Sequence, residues 1–275
     1  MSKIVNEYRI VSSTIAAIYN KPTFDSELTT QALIWEKLII YDKKDNWYQV
    51  QQRDGYIGWI HSFYTSDSSV YDSNQLFQDL ENWYWVKNKF LSLSLNDNSN
   101  YLLSFGSLVP CFEKKGSFFI ILPNNEKVSV DKSLLTKFTD EISYEKGVLH
   151  SASELVGTPY LWGGKSSFGF DCSGLIQSII NVCNVNITNS KRSFLPRDAS
   201  KQILSDILMH KKGNPTIGDI IFFRSNKKIN HVGIYINKRD FIHSSGFVKV
   251  NSLDKESKNY SNKLEEKVYG IYTIK

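Results

Sequence analysis

Near residue 144 the spacing of apolar residues changes, and that change constrains the fold more than any other feature of the chain. Before it, short runs rich in Tyr, Trp, Ile, Val and Thr alternate with polar turns, as in Ala32-Leu33-Ile34-Trp35, Trp47-Tyr48-Gln49-Val50 and Tyr56-Ile57-Gly58-Trp59-Ile60. Five of the six tryptophans lie before residue 90. Several short strands at close spacing predict small β-barrels. Beyond residue 144, Val148, Ala152, Leu155 and Val156 recur at helical spacing and end at Gly157-Thr158-Pro159, where Gly and Pro stop a helix. A second helix should open near Asp171 and bury Leu175, Ile176, Ile179, Ile180 and Cys183. A third should cover 198–209. Strands are expected at Ile220 to Phe223, His231 to Ile236, Phe241 to His243 and Val268 to Thr273. Helices followed by an antiparallel sheet give an α+β layout.

This texture predicts three domains: β-modules over 1–66 and 74–138, and an α+β domain over 144–275. The polar stretch Thr65-Ser66-Asp67-Ser68-Ser69 reads as a linker. Phe118-Phe119-Ile120-Ile121-Leu122 reads as a buried strand, with a turn at Pro123-Asn124-Asn125 leading to Lys127-Val128-Ser129-Val130.

A length of 275 residues, 41% of them apolar, can build these cores without a disulfide or cofactor staple. Three cysteines in irregular spacing argue against a disulfide framework, and no CxxC or HExxH pattern offers a metal site. There is no run of about 18 apolar residues, so no membrane span is expected. The start MSKIVNEYRIVSS lacks the pattern of a secretory signal, which predicts a cytoplasmic protein. Residues 144–275 carry nineteen basic and eleven acidic side chains, a net +8. That is a solvated basic surface or a preference for an anionic substrate. The lysines are scattered rather than gathered in a stripe, which disfavours nucleic acid as a partner.

Cys172 lies in Phe170-Asp171-Cys172-Ser173-Gly174-Leu175, where a Gly-rich loop becomes a helix. Free amides and the dipole at a helix start favour a thiolate, and Asp171 suits the cap. Gly163, Gly164 and Gly169 would let the backbone approach a substrate. Cys183, eleven residues on along the apolar stripe, reads as core, and so does Cys111.

A thiol nucleophile needs an imidazole within reach and a partner to hold it. His61, His150 and His210 suit surface positions. His231 and His243 each lie on an expected strand. His231, Gly233 and Tyr235 share one face, and Val232, Ile234 and Ile236 the other. The two histidines are twelve residues apart, so a hairpin with an odd loop puts both on one face, where Gly233 leaves room. His243 could then fix the tautomer of His231.

Together these residues resemble the NlpC/P60 family of cell-wall cysteine peptidases, a circularly permuted relative of the papain fold. The matching blocks are Gly157-Thr158-Pro159-Tyr160-Leu161-Trp162-Gly163-Gly164, Asp171-Cys172-Ser173-Gly174-Leu175, Leu195-Pro196-Arg197-Asp198, Gly218-Asp219-Ile220-Ile221-Phe222-Phe223, His231-Val232-Gly233-Ile234-Tyr235 and Phe241-Ile242-His243. Asp54-Gly55-Tyr56-Ile57-Gly58-Trp59-Ile60 resembles bacterial SH3-like modules. Two such modules ahead of an NlpC/P60 domain are similar to the γ-D-glutamyl-L-diamino acid endopeptidases that cleave muropeptides with a free N-terminal L-alanine in cell-wall recycling. The resemblance implies that Tyr56 and an acid, for which Glu27 is the candidate, meet the substrate ammonium. It also implies that Tyr160, Trp162, Asp171 and Ser173 line the substrate pocket, and that Tyr160 adds an oxyanion donor. Two departures stand out: Trp35 occupies a position where glycine is expected, and the second module lacks a Gly-Trp pair.

The expected fold is therefore a papain-like α+β catalytic domain behind two SH3-like β-barrels. The expected reaction has Cys172 attack as thiolate, with His231 as base, His243 as orienter, and no cofactor or metal. Peptidoglycan stem peptides are the expected partners. An acyltransferase or amidase using the same pair, or a non-catalytic wall-binding protein, are the rival readings. The sequence leaves the preferred diamino acid and the oligomeric state open.

Overall fold

A computed structural model describes residues 7–67, 79–95, 99–140, 143–183, 187–188, 191–192 and 194–275. The chain forms two compact units, Met1–Asp140 and Glu141–Lys275.

In the first unit, β1 (Tyr8–Val11), β2 (Ile15–Tyr19), β3 (Leu28–Leu33), β4 (Lys37–Lys44), β5 (Trp47–Gln51), β6 (Ile57–His61) and β7 (Thr65–Asp67) form an antiparallel sheet in the order β3-β2-β6-β5-β4-β1-β7. Its alternating residues Ile18, Leu38, Ile40, Val50 and Ile60 meet Val11 in one core. Thr65–Asp67, expected as the start of a linker, instead pairs with β1. Arg9 stitches the pair by donating from Nη2 to the Thr65 carbonyl (3.1 Å) and from Nε to its hydroxyl (3.2 Å). Residues 68 and 69 lie outside the described residues.

Further along the same unit come β8 (Trp83–Val86), β9 (Phe90–Ser94), β10 (Asn100–Ser104), β11 (Leu108–Lys114), β12 (Ser117–Ile121), β13 (Lys127–Ser129) and β14 (Leu135–Lys137). They form a sheet ordered β13-β12-β11-β8-β14 and a β9–β10 hairpin. The strand expected at 118–122 is β12, and its turn carries Asn125 at φ 66. Trp35, standing where glycine was expected, does adopt the left-handed conformation, at φ 66. That costs a non-glycine residue about 1–2 kcal/mol. The indole offsets the strain: it is 3% exposed, donates Nε1–H to the Ile121 carbonyl at 2.9 Å and meets Trp83 edge-on at 6.1 Å. Removing a buried aromatic typically costs about 3–5 kcal/mol, so packing outweighs the dihedral.

The second unit opens with α1 (Tyr144–Leu155), then β15 (Lys165–Ser166), β16 (Gly169–Phe170) and α2 (Cys172–Val182). The pair β17 (Ile187–Thr188) and β18 (Lys191–Arg192) and the short α3 (Ala199–Gln202) lead to the sheet. That sheet holds β19 (Leu208–His210), β20 (Ile220–Ser225), β21 (Lys228–Tyr235), β22 (Asp240–Ser245), β23 (Phe247–Ser252) and β24 (Val268–Ile274), in the order β19-β24-β20-β21-β22-β23. A single turn, α4 (Asn262–Glu265), precedes β24. Leu175, Ile176, Ile179 and Ile180 of α2 are buried as their spacing requires. The helix expected over 198–209 stops after one turn. Its downstream apolar residues serve other purposes: Leu204 is 82% exposed, and Leu208 pairs with Ile274 as an edge strand.

Candidate active site

The loop before α2 folds onto itself, and Gly164 and Gly169 are close contacts within the protein rather than openings to a substrate. A Cβ at Gly164 would stand 2.2 Å from the Gly169 carbonyl, and one at Gly174 would stand 2.1 Å from the Gly164 carbonyl and 2.5 Å from Arg197 Nη1. This crowding explains why glycine follows the Asp-Cys-Ser run. Asp171 caps α2 by accepting the Gly174 amide at 2.7 Å and the Ser173 hydroxyl at 2.9 Å. Arg197 grips the same carboxylate with both terminal nitrogens, Nη1 to Oδ1 at 3.2 Å and Nη2 to Oδ2 at 2.6 Å. Arg197 is 1% exposed. Gln202 donates to the Ser173 carbonyl at 2.9 Å, and Gln177 to the Leu195 carbonyl at 2.6 Å, so the 195–202 segment is clamped to α2. Asp171 and Ser173, expected to line the substrate pocket, are both buried and bonded within this cap.

The cap delivers Cys172 to the start of α2, where its half-buried thiol faces β21. The thiol donates to the Asn230 carbonyl at 3.9 Å, one residue before His231. On the sheet, Tyr235 pairs with Phe241 and Ile234 with Ile242, so the β21–β22 connection has the odd length that places His231 and His243 on one face. A Cβ on Gly233 would come within 3.3 Å of the His243 Cβ, so glycine there admits the second ring. Ser244, next to His243, donates to the Phe170 carbonyl at 2.7 Å. The histidine strand and the cysteine loop are thereby tied together.

Hydrogen-bond polarity fixes both tautomers. The Asn259 carbonyl can only accept, so Asn251 presents Nδ2 to it at 3.0 Å and turns Oδ1 toward His243. His243 Nε2, 2.8 Å from that oxygen, must donate. Its Nδ1 therefore accepts from His231 Nε2 at 2.7 Å. What remains is the Nδ1 lone pair of His231, a base held in one orientation. Asn251 had no assigned role in the sequence reading. The signal was the alternation Val248-Lys249-Val250-Asn251 after the His243 strand, which puts Asn251 opposite Phe241 and Lys249 opposite His243.

Electrostatically the resting site is neutral. Burial pushes the Cys172 thiol up to about 12, with Asp171 adding to the shift; Arg197 and the amides of Ser173 and Val232 oppose it and lose. Burial, then His243, Lys249 and Lys267, take His231 down to about 3. Burial takes His243 down to about 4 against the Asn251 bond. The helix start that favours a thiolate is thus opposed by desolvation, which favours the protonated thiol and leaves its proton for His231 to withdraw. Tyr160, near Cys172, is raised to about 12 by burial and by the neighbouring thiol, so its hydroxyl keeps its proton. Trp162 is 62% exposed on the same loop. Cys183 is buried at the C-terminal cap of α2 rather than within it, with Ser151 as a polar neighbour, and Cys111 is buried in β11. In the first unit, Glu27 is exposed just before β3, and Tyr56 is half-buried just before β6.

These shifts set a pH dependence. An unfolded histidine binds its proton near 6.5, whereas His231 and His243 resist it until about 3 and 4. Below pH 6.5 the unfolded chain therefore binds more protons, and stability falls as pH falls toward 4. Thermal melts from pH 7.5 to 4 should show this decline, and His243→Gln should flatten it. A midpoint independent of pH across that window would contradict burial of neutral imidazoles.

The chain matches the NlpC/P60 family over residues 157–267 and the bacterial dipeptidyl-peptidase SH3 domain over residues 18–62. It is 27% identical over 240 residues to the γ-D-glutamyl-L-lysine dipeptidyl-peptidase of Bacillus cereus, covering 80% of this chain and 68% of that one. It is 30% identical over 140 residues to a probable endopeptidase, an NlpC homologue, of Haemophilus influenzae, covering 49% of this chain and 69% of that one. The crystal structure of an NlpC/P60 family protein from Bacillus cereus superimposes with a TM-score of 0.78 at 22% identity, covering 96% of this chain and 98% of that one. The chain belongs to the NlpC/P60 family, with a bacterial SH3 domain ahead of a papain-like domain. It is a cysteine peptidase.

Proposed function

We propose that this peptidase hydrolyses the bond between γ-D-glutamate and a diamino acid in peptidoglycan stem peptides that carry a free N-terminal L-alanine, as a step of cell-wall recycling in the cytoplasm. The observation that carries the catalytic reading is the directed chain from Asn251 through His243 to His231, with the Cys172 thiol held 3.9 Å from the carbonyl of Asn230, the residue before His231. The substrate reading draws support from the relatives named as γ-D-glutamyl-L-lysine dipeptidyl-peptidases in Bacillus cereus and Bacillus subtilis.

In the proposed mechanism the Cys172 thiol turns about χ1 from the Asn230 carbonyl to His231 Nδ1. Sγ attacks the γ-carbonyl carbon as Nδ1 takes the thiol proton. The amide of Cys172 opens α2 with no acceptor inside the helix, and donates to the oxyanion with the Tyr160 hydroxyl. Collapse breaks the C–N bond while His231 returns the proton to the leaving amine. Water, deprotonated by the same Nδ1, then hydrolyses the thioester. Asp171, Arg197 and Ser173 position the nucleophile, and Trp162 borders the acyl side.

Tyr56 and Glu27 of the first module are assigned the substrate ammonium. The test compares L-Ala-γ-D-Glu-diamino acid, its N-acetyl form and intact sacculi, with products read by mass spectrometry. The free-amine peptide should be cleaved and the other two spared. Equal cleavage of all three would remove both the amine requirement and the recycling role.

A further inference from the structure

Among the described residues, β21 and β22 pair at Tyr235–Phe241 and Ile234–Ile242, and there their pairing ends. Both strands run on, β21 back to Lys228 and β22 forward to Ser245, each keeping its outer partner, β20 or β23. Had the register continued, Gly233 would oppose His243 and Val232 would oppose Ser244. Instead the segment Phe170-Asp171-Cys172 bonds to both strands where they part. The Cys172 thiol reaches the Asn230 carbonyl on β21 at 3.9 Å, and the Val232 amide donates to the sulfur. From β22, Ser244 donates Oγ–H to the Phe170 carbonyl at 2.7 Å. The nucleophile loop is thus a wedge gripped by both histidine strands, by β21 through Cys172 itself and by β22 through Ser244.

Ser244 is fully buried, so its hydroxyl is satisfied by this bond rather than by solvent. The Phe170 carbonyl also accepts the Leu161 amide at 3.2 Å, so it keeps a donor when the hydroxyl is removed. The loop can then still form, but its distance from β22 is no longer fixed. The residue before Ser244 is His243, whose Nδ1 holds the Nε2–H of His231 at 2.7 Å. Two residues after Ser244, the Gly246 carbonyl accepts the Tyr160 amide at 3.0 Å. A shift of β22 away from the loop therefore moves the orienting ring and Tyr160 relative to the nucleophile. We infer that Ser244 is a positioning residue: its hydroxyl, bonded to the Phe170 carbonyl, sets the spacing between the Cys172 loop and the strand that carries His243. It acts through Phe170 and touches no substrate, and its role rests on the catalytic reading above.

The test measures kcat and KM of the full chain as S244A, S244T and S151A on L-Ala-γ-D-Glu-diamino acid, with a thermal melt of each. Ser151 is the matched control: equally buried, it makes the same kind of bond, to the Gly147 carbonyl at 2.8 Å within α1. S244A should lose about 10- to 100-fold in kcat with KM nearly unchanged, the scale of a misplacement of about 1 Å at the reacting groups. S151A should lose comparable thermal stability and keep its kcat. S244T retains the hydroxyl and should recover most of the lost rate. S244C, a weak donor, takes the place of S244A if the alanine variant does not fold. The proton NMR signal of His231 Nε2–H should move in S244A and stay in place in S151A. That signal needs no substrate, so it decides the role of Ser244 even where the wild type cleaves no stem peptide, a result that counts against the proposed substrate alone. An unmoved signal, or wild-type kcat in S244A, overturns the assignment.

Discussion

Replacing Cys172 by alanine abolishes release of the diamino acid, with kcat falling about 10⁴-fold or more, and leaves the fold in place. The size follows from losing the bond-forming atom, because donors and binding that remain recover little of the rate. The fold survives because the thiol carries little of the packing: it is half-buried, and its hydrogen bond to the Asn230 carbonyl is long, at 3.9 Å. The cap that builds the helix start belongs to Asp171, Ser173 and Arg197. Cys183→Ala is the matched control, since that thiol is buried at the far end of α2, and the variant should remain active. Steady-state assays with chromatographic detection of the freed diamino acid, together with thermal melts, check both. Turnover by Cys172→Ala would remove the covalent mechanism.

The second large effect is on stability. Arg197→Met strips a buried carboxylate of the guanidinium that grips it. The pair is bidentate, with the Arg197 side chain 1% and the Asp171 side chain 11% exposed. Removing one partner of such a pair costs about 3–5 kcal/mol, because the remaining charge stays desolvated. Replacing both, as in Asp171→Asn with Arg197→Met, should recover part of that loss. Urea denaturation of the two single variants and the double variant measures the coupling. Strictly additive losses would show that the carboxylate is satisfied without the arginine. Activity should drop along with stability, since Asp171 immediately precedes the nucleophile.

Much of the site was legible in the sequence because it rests on rules that operate over a few residues. Cap chemistry places Cys172 at a helix start, and strand parity places His231 and His243 on one face, from the sequence alone. Other features depend on long-range contacts and were not legible. Arg197 appeared only as part of a matching block, and its role emerges from a partner 26 residues away. Asn251 and Lys249 lie on β23, where the alternation with Val248 and Val250 marks a strand but does not reveal that the partners across it are Phe241 and His243. The helix read at 198–209 failed because Ile203, Leu204, Ile207 and Leu208 imitate helical spacing, while the sheet claims Leu208 as an edge. The opposing desolvation at Cys172 was not legible for a related reason: dipole and cap can be read locally, but burial cannot.

The surroundings of Cys172 have a consequence for chemical durability. Desolvation and the neighbouring Asp171 favour the protonated thiol over the thiolate. Peroxides and soft alkylating agents attack thiolates, so a thiol that ionises only as His231 takes its proton presents them with less of the reactive form between substrates.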